Sequence, residues 1–323
     1  MSKFWKGKKV LVTGGTGFVG SFVTEKLVEY EAKVTVTSRS TKNTNISKVL
    51  REVSILKTDL SIPENAIKAT KKQDVILHLA AKVAGIDYNI GHPATMFSEN
   101  VILTRNILEA AVKNKVERVL LTSSACVYPR HATIPTRESE GFVDDPEPTN
   151  LGYGWAKRVV ELMGRFYNQE YGLKVGIGRP YNTYGPRDNF DPSTSHVIPA
   201  MLKRIYSGEN PFVVWGSGKQ TRSFIYVEDV ARGLLEISEK YSVCDPLNLG
   251  SEEEVTIKKL AEILLEKSGK NVPIKFDTKK PDGQPRRNCD TSYATKKIKF
   301  KATTTLSEGI VKTIKWYEQH LSS

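Results

Sequence analysis

One stretch leaves this chain few ways to fold. The apolar run Lys9-Val10-Leu11-Val12-Thr13 leads into Gly14-Gly15-Thr16-Gly17-Phe18-Val19-Gly20, and apolar residues then recur at Phe18, Phe22, Val23, Leu27 and Val28. The run has strand character, the recurrence has helical spacing, and the glycines between them turn the chain sharply. In a strand–turn–helix context the glycines allow a tight turn, close approach of backbone to a pyrophosphate, and close packing of helix on strand. The helix start offers N–H groups and a positive dipole end to phosphates. A plain turn is the simpler alternative, and the correct flanks on both sides argue against it. The expectation is a dinucleotide site built on Gly14, Thr16, Gly17, Phe18, Val19 and Gly20.

The second strand, Lys33 to Thr37, ends in Ser38-Arg39. An acid here holds the ribose 2′-hydroxyl of NAD, whereas an arginine accommodates the 2′-phosphate of NADP. With an arginine and no acid, NADP(H) is favoured and NAD(H) is the second choice. A third strand, Ser54 to Lys57, leads to Asp59-Leu60, placed to reach the adenine. A fourth, Asp74 to Leu79, runs into Ala80-Ala81, small enough for a cofactor to lie against, and His78 within it reads as a packed histidine. Strands alternating with helical segments, Phe97 to Val112 being the next, predict a parallel sheet. The expected fold class is α/β: a Rossmann-type doubly wound parallel sheet with a smaller C-terminal α/β substrate-binding lobe. Residues 1–180 would form the dinucleotide-binding domain, to which the chain returns at about 224–249, and 181–323 the lobe.

The fifth strand, Arg118 to Leu121, breaks into Thr122-Ser123-Ser124-Ala125-Cys126-Val127-Tyr128-Pro129. In an open α/β sheet ligands sit at the carboxyl ends of the strands. After a polar, Pro-rich loop (130–150), Tyr153 and Lys157 open a helix running to about Tyr171 and share its face. Taken alone, they would be a surface pair. A sixth strand, Lys174 to Arg179, is followed by Pro180-Tyr181-Asn182-Thr183-Tyr184-Gly185-Pro186. In the second half, helices are expected after Ser195-His196-Val197-Ile198-Pro199 to Ser207, and at about 228–239, 257–268 and 306–319. Strands are expected at Val213 to Trp215 and Thr221 to Tyr226. Lys280 to Arg287 reads as a loop that cannot be a strand. Lys296 to Lys301, where Ile298 and Phe300 alternate with lysines, reads as a strand with one solvated face.

Composition narrows the function classes. No stretch approaches the ~20 apolar residues of a membrane helix, and the basic start has no apolar core or small-residue cleavage site, which points to the cytoplasm. Three cysteines, Cys126, Cys244 and Cys289, have neither a disulfide framework nor zinc spacing. The net charge of +12 suits an anionic partner. The lysines are scattered and no basic–aromatic interleaving occurs, which argues against nucleic acid.

In their order along the chain, Thr13-Gly14-x-x-Gly17-x-x-Gly20, Ser123-Ser124, Tyr153-x-x-x-Lys157 and Arg179-Pro180-x-Asn182-x-Tyr184-Gly185-Pro186 resemble one family. It is the extended short-chain dehydrogenase/reductases acting on nucleotide sugars, also called the NAD-dependent epimerase/dehydratase family, and the likeness covers nearly the whole chain. Within it, Ala81 to Ile86, Asp188 to Ala200, Val214 to Gly218 and Lys280 to Arg286 are similar to a particular branch. Its members epimerise C3 and C5 of a GDP-4-keto-6-deoxy sugar and then reduce C4 with NADPH. Ala125, inserted between Ser124 and Cys126, and Gln220 to Phe224 look more like the 3,5-epimerases of GDP-mannose, which oxidise C4 transiently with tightly held NAD. A reductase or epimerase of another GDP-4-keto sugar, such as a 6-deoxyheptose, is a further reading. A non-catalytic NADP-binding regulator is disfavoured because Tyr153 and Lys157 are both present.

The resemblance implies roles. Ser124, Tyr153 and Lys157 would serve hydride transfer, with Lys157 drawing Tyr153 towards phenolate. Cys126 would be the base and His196 the acid of epimerisation. Leu79, Ala80, Ala81, Pro180 and Asn182 would join the cofactor site. Asn182, His196, Val197, Lys203, Trp215, Arg222 and Arg286 would bind a GDP-linked sugar, the two arginines its diphosphate. Homodimerisation through the helices near Phe97 to Val112 and Tyr153 to Tyr171 is implied in the same way.

Overall fold

The computed structural model describes residues 3–39, 44–191, 194–280 and 284–320, so the quoted motif residues Pro192, Ser193, Pro281, Asp282 and Gly283 lie outside it. In the first half the apolar runs become β1 (Lys9–Thr13), β2 (Lys33–Ser38), β3 (Ser54–Lys57), β4 (Val75–His78), β5 (Arg118–Thr122) and β6 (Lys174–Pro180). Between them run α1 (Phe18–Glu29), α2 (Pro63–Thr70), α3 (Ile86–Gly91), α4 (Pro93–Lys113) and α5 (Leu151–Tyr171). The second half contributes β7 (Thr183–Tyr184), β8 (Phe212–Trp215), β9 (Thr221–Ser223), β10 (Ile225–Tyr226), β11 (Pro246–Leu249), β12 (Glu254–Thr256), β13 (Ile274–Asp277) and β14 (Arg286–Arg287). Its helices are α6 (Val197–Tyr206), α7 (Val227–Lys240), α8 (Ile257–Lys267), α9 (Ser292–Ile298) and α10 (Leu306–Gln319).

Seven strands form one sheet in the order β11-β6-β5-β4-β1-β2-β3, every neighbour parallel. Successive strand residues face opposite sides. Val10 and Val12 therefore pack with Val23 and Leu27 of α1 and Leu234 of α7, while Leu11 packs with Ile107 and Leu108 of α4. Both faces are covered, which is why the strands are apolar throughout. Strand order reverses at β1, opening a crevice beyond the carboxyl ends of β1 and β4. A separate core joins α6, α8 and α10 with Phe212 and Val214 of β8, and Phe18, Val19 and Phe22 of α1 pack against it. The helix that follows the glycine turn thus touches both cores.

Three sequence expectations need correction. Thr221 to Tyr226 is two strands: β9 pairs with β12 and β14, and β10 with β7, the break falling at Phe224. Lys296 to Lys301 is a helix end. Lys299 takes a left-handed φ of 61° after α9, and Ile298 and Phe300 are both buried. Lys296 and Lys297 occupy the last turn, where the helix dipole favours cations. Arg286 and Arg287 form β14, parallel to β9.

Candidate active site

At the crevice, Gly14 has φ +68°, and a Cβ there would stand 2.9 Å from the backbone N of Ala80, so glycine is required for both conformation and space. Gly17 is the N-cap of α1. No side chain caps that helix and its first turn holds no acid, which leaves the dipole end to an anion. Thr16 donates to Ser38 Oγ at 3.3 Å. Arg39 is exposed at the end of β2. Hydrogen bonds from Ser61, then the charge of Arg39, hold the Asp59 carboxyl below its usual range. Leu60 is buried, and its carbonyl accepts from Asn106 Nδ2 at 3.0 Å. Leu79, Ala80 and Ala81 follow β4 half-buried. His78 lies between Thr13 Oγ1 (2.8 Å from Nδ1) and Thr104 Oγ1 (3.2 Å from Nε2). Burial, then the charge of Lys157, lowers it to about 3, so it is a neutral, packed histidine.

At the end of β5, Ser124 caps a single 3-10 turn, Ala125–Val127, its Oγ accepting from Cys126 N at 3.1 Å. The inserted Ala125 is part of that turn and buried. Cys126 is a half-buried free thiol. The start of α5 presses on it: a Cβ at Gly154 would fall 2.4 Å from the Cys126 carbonyl oxygen. This approach brings Tyr153 against Ser124 and Cys126. Lys157 is buried, donates from Nζ to the Thr122 carbonyl at 2.8 Å, and lies 5.4 Å from the Tyr153 ring centroid. Burial lowers Lys157 to about 8, against the pull of Cys126 and Glu161. Tyr153 is raised, by burial first and then by Cys126, with its Ser124 hydrogen bond working the other way. Desolvation of the anion dominates, and Tyr153 stands as a phenol, a proton donor.

His196 is the N-cap of α6, with Val197 and Lys203 exposed on the same helix. The residue as a whole is exposed, yet protein atoms crowded around the ring desolvate it. That crowding, with the Arg287 charge second, holds the imidazole below the usual histidine range. Arg287 escaped the sequence reading. It is in register with Arg222 across β14 and β9, donates to the Ala125 carbonyl at 3.2 Å, and adds to the burial that lowers Arg222 to about 10. Arg222 donates to the carbonyls of Thr221 (2.7 Å) and Gln284 (2.8 Å). Arg286 does not join them. Its guanidinium is bidentate on Glu254, at 2.8 and 2.7 Å, because neighbours along a strand face opposite sides. Asn182 Nδ2 donates to the Ser223 carbonyl at 2.8 Å, tying the segment beyond Pro180 to β9. Trp215 is 60% exposed, with Lys280 Nζ 5.3 Å from its ring centroid.

The structure thus gathers Ser124, Cys126, Tyr153, Lys157 and Arg287 at one strand end, with His196 in the field of Arg287. Several buried polar atoms near these residues lack partners among the described residues: Thr122 Oγ1, Ser195 Oγ, Gln220 Oε1 and Ser223 Oγ. Such atoms are costly unless a ligand or water completes them.

Residues 10–250 match the NAD dependent epimerase/dehydratase family. The chain belongs to that family. Among its epimerase/dehydratase relatives, "Probable GDP-L-fucose synthase 1" of Oryza sativa subsp. japonica is 35% identical, with 98% of this chain and 94% of that protein covered. The GDP-mannose 3,5-epimerase of Arabidopsis thaliana is 28% identical, with 99% and 85% covered. A GDP-L-fucose synthetase from Naegleria fowleri, solved bound to NADP, matches with a TM-score of 0.82 at 25% identity, covering 98% of this chain and 96% of that one.

Proposed function

We propose that this enzyme acts as a GDP-L-fucose synthase: it epimerises C3 and C5 of a GDP-4-keto-6-deoxy sugar and then reduces C4 with NADPH. The observation that carries this reading is the gathering of Ser124, Cys126, Tyr153 and Lys157 at one strand end, beside the Arg287 whose charge also reaches His196.

The crevice fits NADP(H). The Gly14–Ala80 approach and the uncapped start of α1 suit a pyrophosphate held by Gly14, Thr16, Gly17, Phe18, Val19 and Gly20. Ser38 and Arg39 would take the 2′-phosphate, Asp59 and Leu60 the adenine side. Leu79, Ala80, Ala81, Lys157, Pro180 and Asn182 would flank the nicotinamide half. When bound, NADPH supplies the hydride to C4. Ser124 orients the C4 oxygen and Tyr153 gives it a proton. The C4 ketone acidifies the hydrogens at C3 and C5, and inversion needs removal on one face and return on the other. Cys126 removes the proton as thiolate and His196 returns one as imidazolium from the other face. A substrate diphosphate between Arg222 and Arg287 would cancel part of the charge that depresses His196 and so favour its proton-donating form.

In heavy water with GDP-4-keto-6-deoxymannose, the protein is expected to consume NADPH in preference to NADH and to place deuterium at C3 and C5. Oxidation of NADPH without exchange would reduce it to a 4-reductase. Conversion of GDP-mannose without net NADPH use would favour the second reading, a GDP-mannose 3,5-epimerase, to which the Ala125 turn gives its support.

For the diphosphate, Arg287→Met should weaken GDP binding about 10–100-fold, the equivalent of losing charge-assisted hydrogen bonds. Arg286→Met should change it little, and equal losses in titration calorimetry would remove the distinction. Arg39→Ser should raise the KM for NADPH about tenfold and leave that for NADH unchanged.

We also read 1–180, with the return at about 224–249, as the cofactor-binding domain and 181–323 as the nucleotide-sugar lobe. β11 and α7 joining the large sheet's core support the return. A homodimer through α4 and α5 is supported by their exposed apolar residues Phe97, Ile102, Trp155 and Phe166. Among the described residues no helix is long and apolar enough to cross a membrane. We place the activity in the cytoplasm, where NADPH and nucleotide sugars meet.

A further inference from the structure

Glu161 lies one turn beyond Lys157 on α5 and is completely buried, as is Arg179 on β6. Its Oε1 accepts from Ser123 Oγ at 2.5 Å and from Arg179 Nε at 2.8 Å, and its Oε2 accepts from the other arm of that guanidinium at 2.7 Å. Arg179 also donates to the Tyr128 hydroxyl at 2.9 Å and to the Glu138 carbonyl at 2.7 Å. Tyr128 donates in turn to Asn248 Oδ1 at 2.6 Å, and Asn248 Nδ2 donates to the carbonyls of Thr136 and Asp290, at 3.1 and 3.3 Å. Thr136 N donates to the Asn288 carbonyl at 3.0 Å, and Asp290 N to that of Thr136 at 2.9 Å. A continuous strut therefore runs from the residue beside Ser124, through β6 and β11, to the segment immediately following Arg287.

Buried ion pairs are poor sources of stability, since apolar residues of similar volume often serve as well. Stability alone does not account for a carboxylate at this point. We propose that Glu161, one helical turn from Lys157, is a positioning residue for the active site, which fixes the Ser123–Ser124 turn and the Arg179 strut beside that lysine. It deepens the proposed function and rests on it for the role of Lys157.

The groups facing Lys157 are Tyr153 and Glu161 on its own helix, His78 on β4, and Cys126 on the turn after β5. His78 is neutral and Tyr153 is a phenol. Burial pushes the ammonium towards losing its proton, and Glu161 with Cys126 opposes that push. Removing the carboxylate lowers the Lys157 value further, so the cation is lost at a lower pH.

The test uses the full chain labelled with [13Cε]lysine, Lys157 being assigned by Lys157→Arg. Glu161→Gln/Arg179→Met removes both charges and leaves neither orphaned. Its Lys157 midpoint should fall by about one pH unit or more against wild type. The alkaline limb of NADPH oxidation should fall with it. Loss of the arginine alone would act in the opposite direction, so a fall reports the carboxylate. Glu161→Asp keeps the charge but withdraws it from Ser123. Its Lys157 midpoint should stay within about half a unit while turnover drops about tenfold. An unchanged midpoint in the double variant, or a shifted one in Glu161→Asp, overturns the proposal. If the double variant fails to fold, Glu161→Asp decides. The titration needs no substrate, so an inactive wild type with the expected titrations would sink the substrate reading and leave this one standing.

Discussion

Tyr153→Phe should lower NADPH oxidation about 10²–10⁴-fold, the usual contribution of a positioned acid or base, while deuterium exchange at C3 and C5 continues. In the proposed mechanism the phenol protonates the C4 oxygen, and phenylalanine keeps its volume. Lys157 remains anchored to the Thr122 carbonyl, so the KM for NADPH should hold. Tyr153 is raised, hence protonated throughout the neutral range, and it contributes no alkaline limb there. Lys157, lowered to about 8, does: its charge is present below that value and lost as pH rises through it, so wild-type reduction should decline above about pH 8. A Tyr153→Phe enzyme that oxidises NADPH at the wild-type rate would show that another group protonates the sugar.

Cys126→Ser separates the other half of the chemistry. A serine hydroxyl does not ionise near neutrality, so exchange at C3 and C5 should fall about 10²–10⁴-fold. NADPH binding should be untouched. Ser124 caps the turn through the backbone N–H of residue 126, and a side-chain change leaves that hydrogen bond in place. Mass spectrometry of sugar recovered from heavy water checks the loss. Wild-type deuterium incorporation in the variant would place the base elsewhere and leave Cys126 as a packed thiol.

These residues differ in how visible they are in the sequence. The glycine turn and the shared face of Tyr153 and Lys157 could be read because their geometry is set within a few residues of chain, whereas the role of that pair came only from the family resemblance. His78 could be read as packed because it sits within an apolar strand. Residues 296–301 misled because alternation of lysine with Ile298 and Phe300 has strand period, whereas burial of both comes from a helix end and the left-handed Lys299.

The two arginines mark the limit most clearly. Arg286 and Arg287 are indistinguishable as neighbours in a Pro- and Gly-rich segment. Pairing of that segment with β9 sets Arg287 beside Arg222 and turns Arg286 to Glu254. Likewise, the spacing of Tyr153 and Lys157 brings them together but says nothing of their protonation, which follows from how deeply α5 presses onto the turn after β5. The order of strands and helices, the cofactor turn and the family motifs were written locally along the chain. The register of β14, the strut from Glu161 and the charge states in the cleft arise from contacts between segments far apart in sequence, because desolvation and cross-strand pairing exist only once those segments have met.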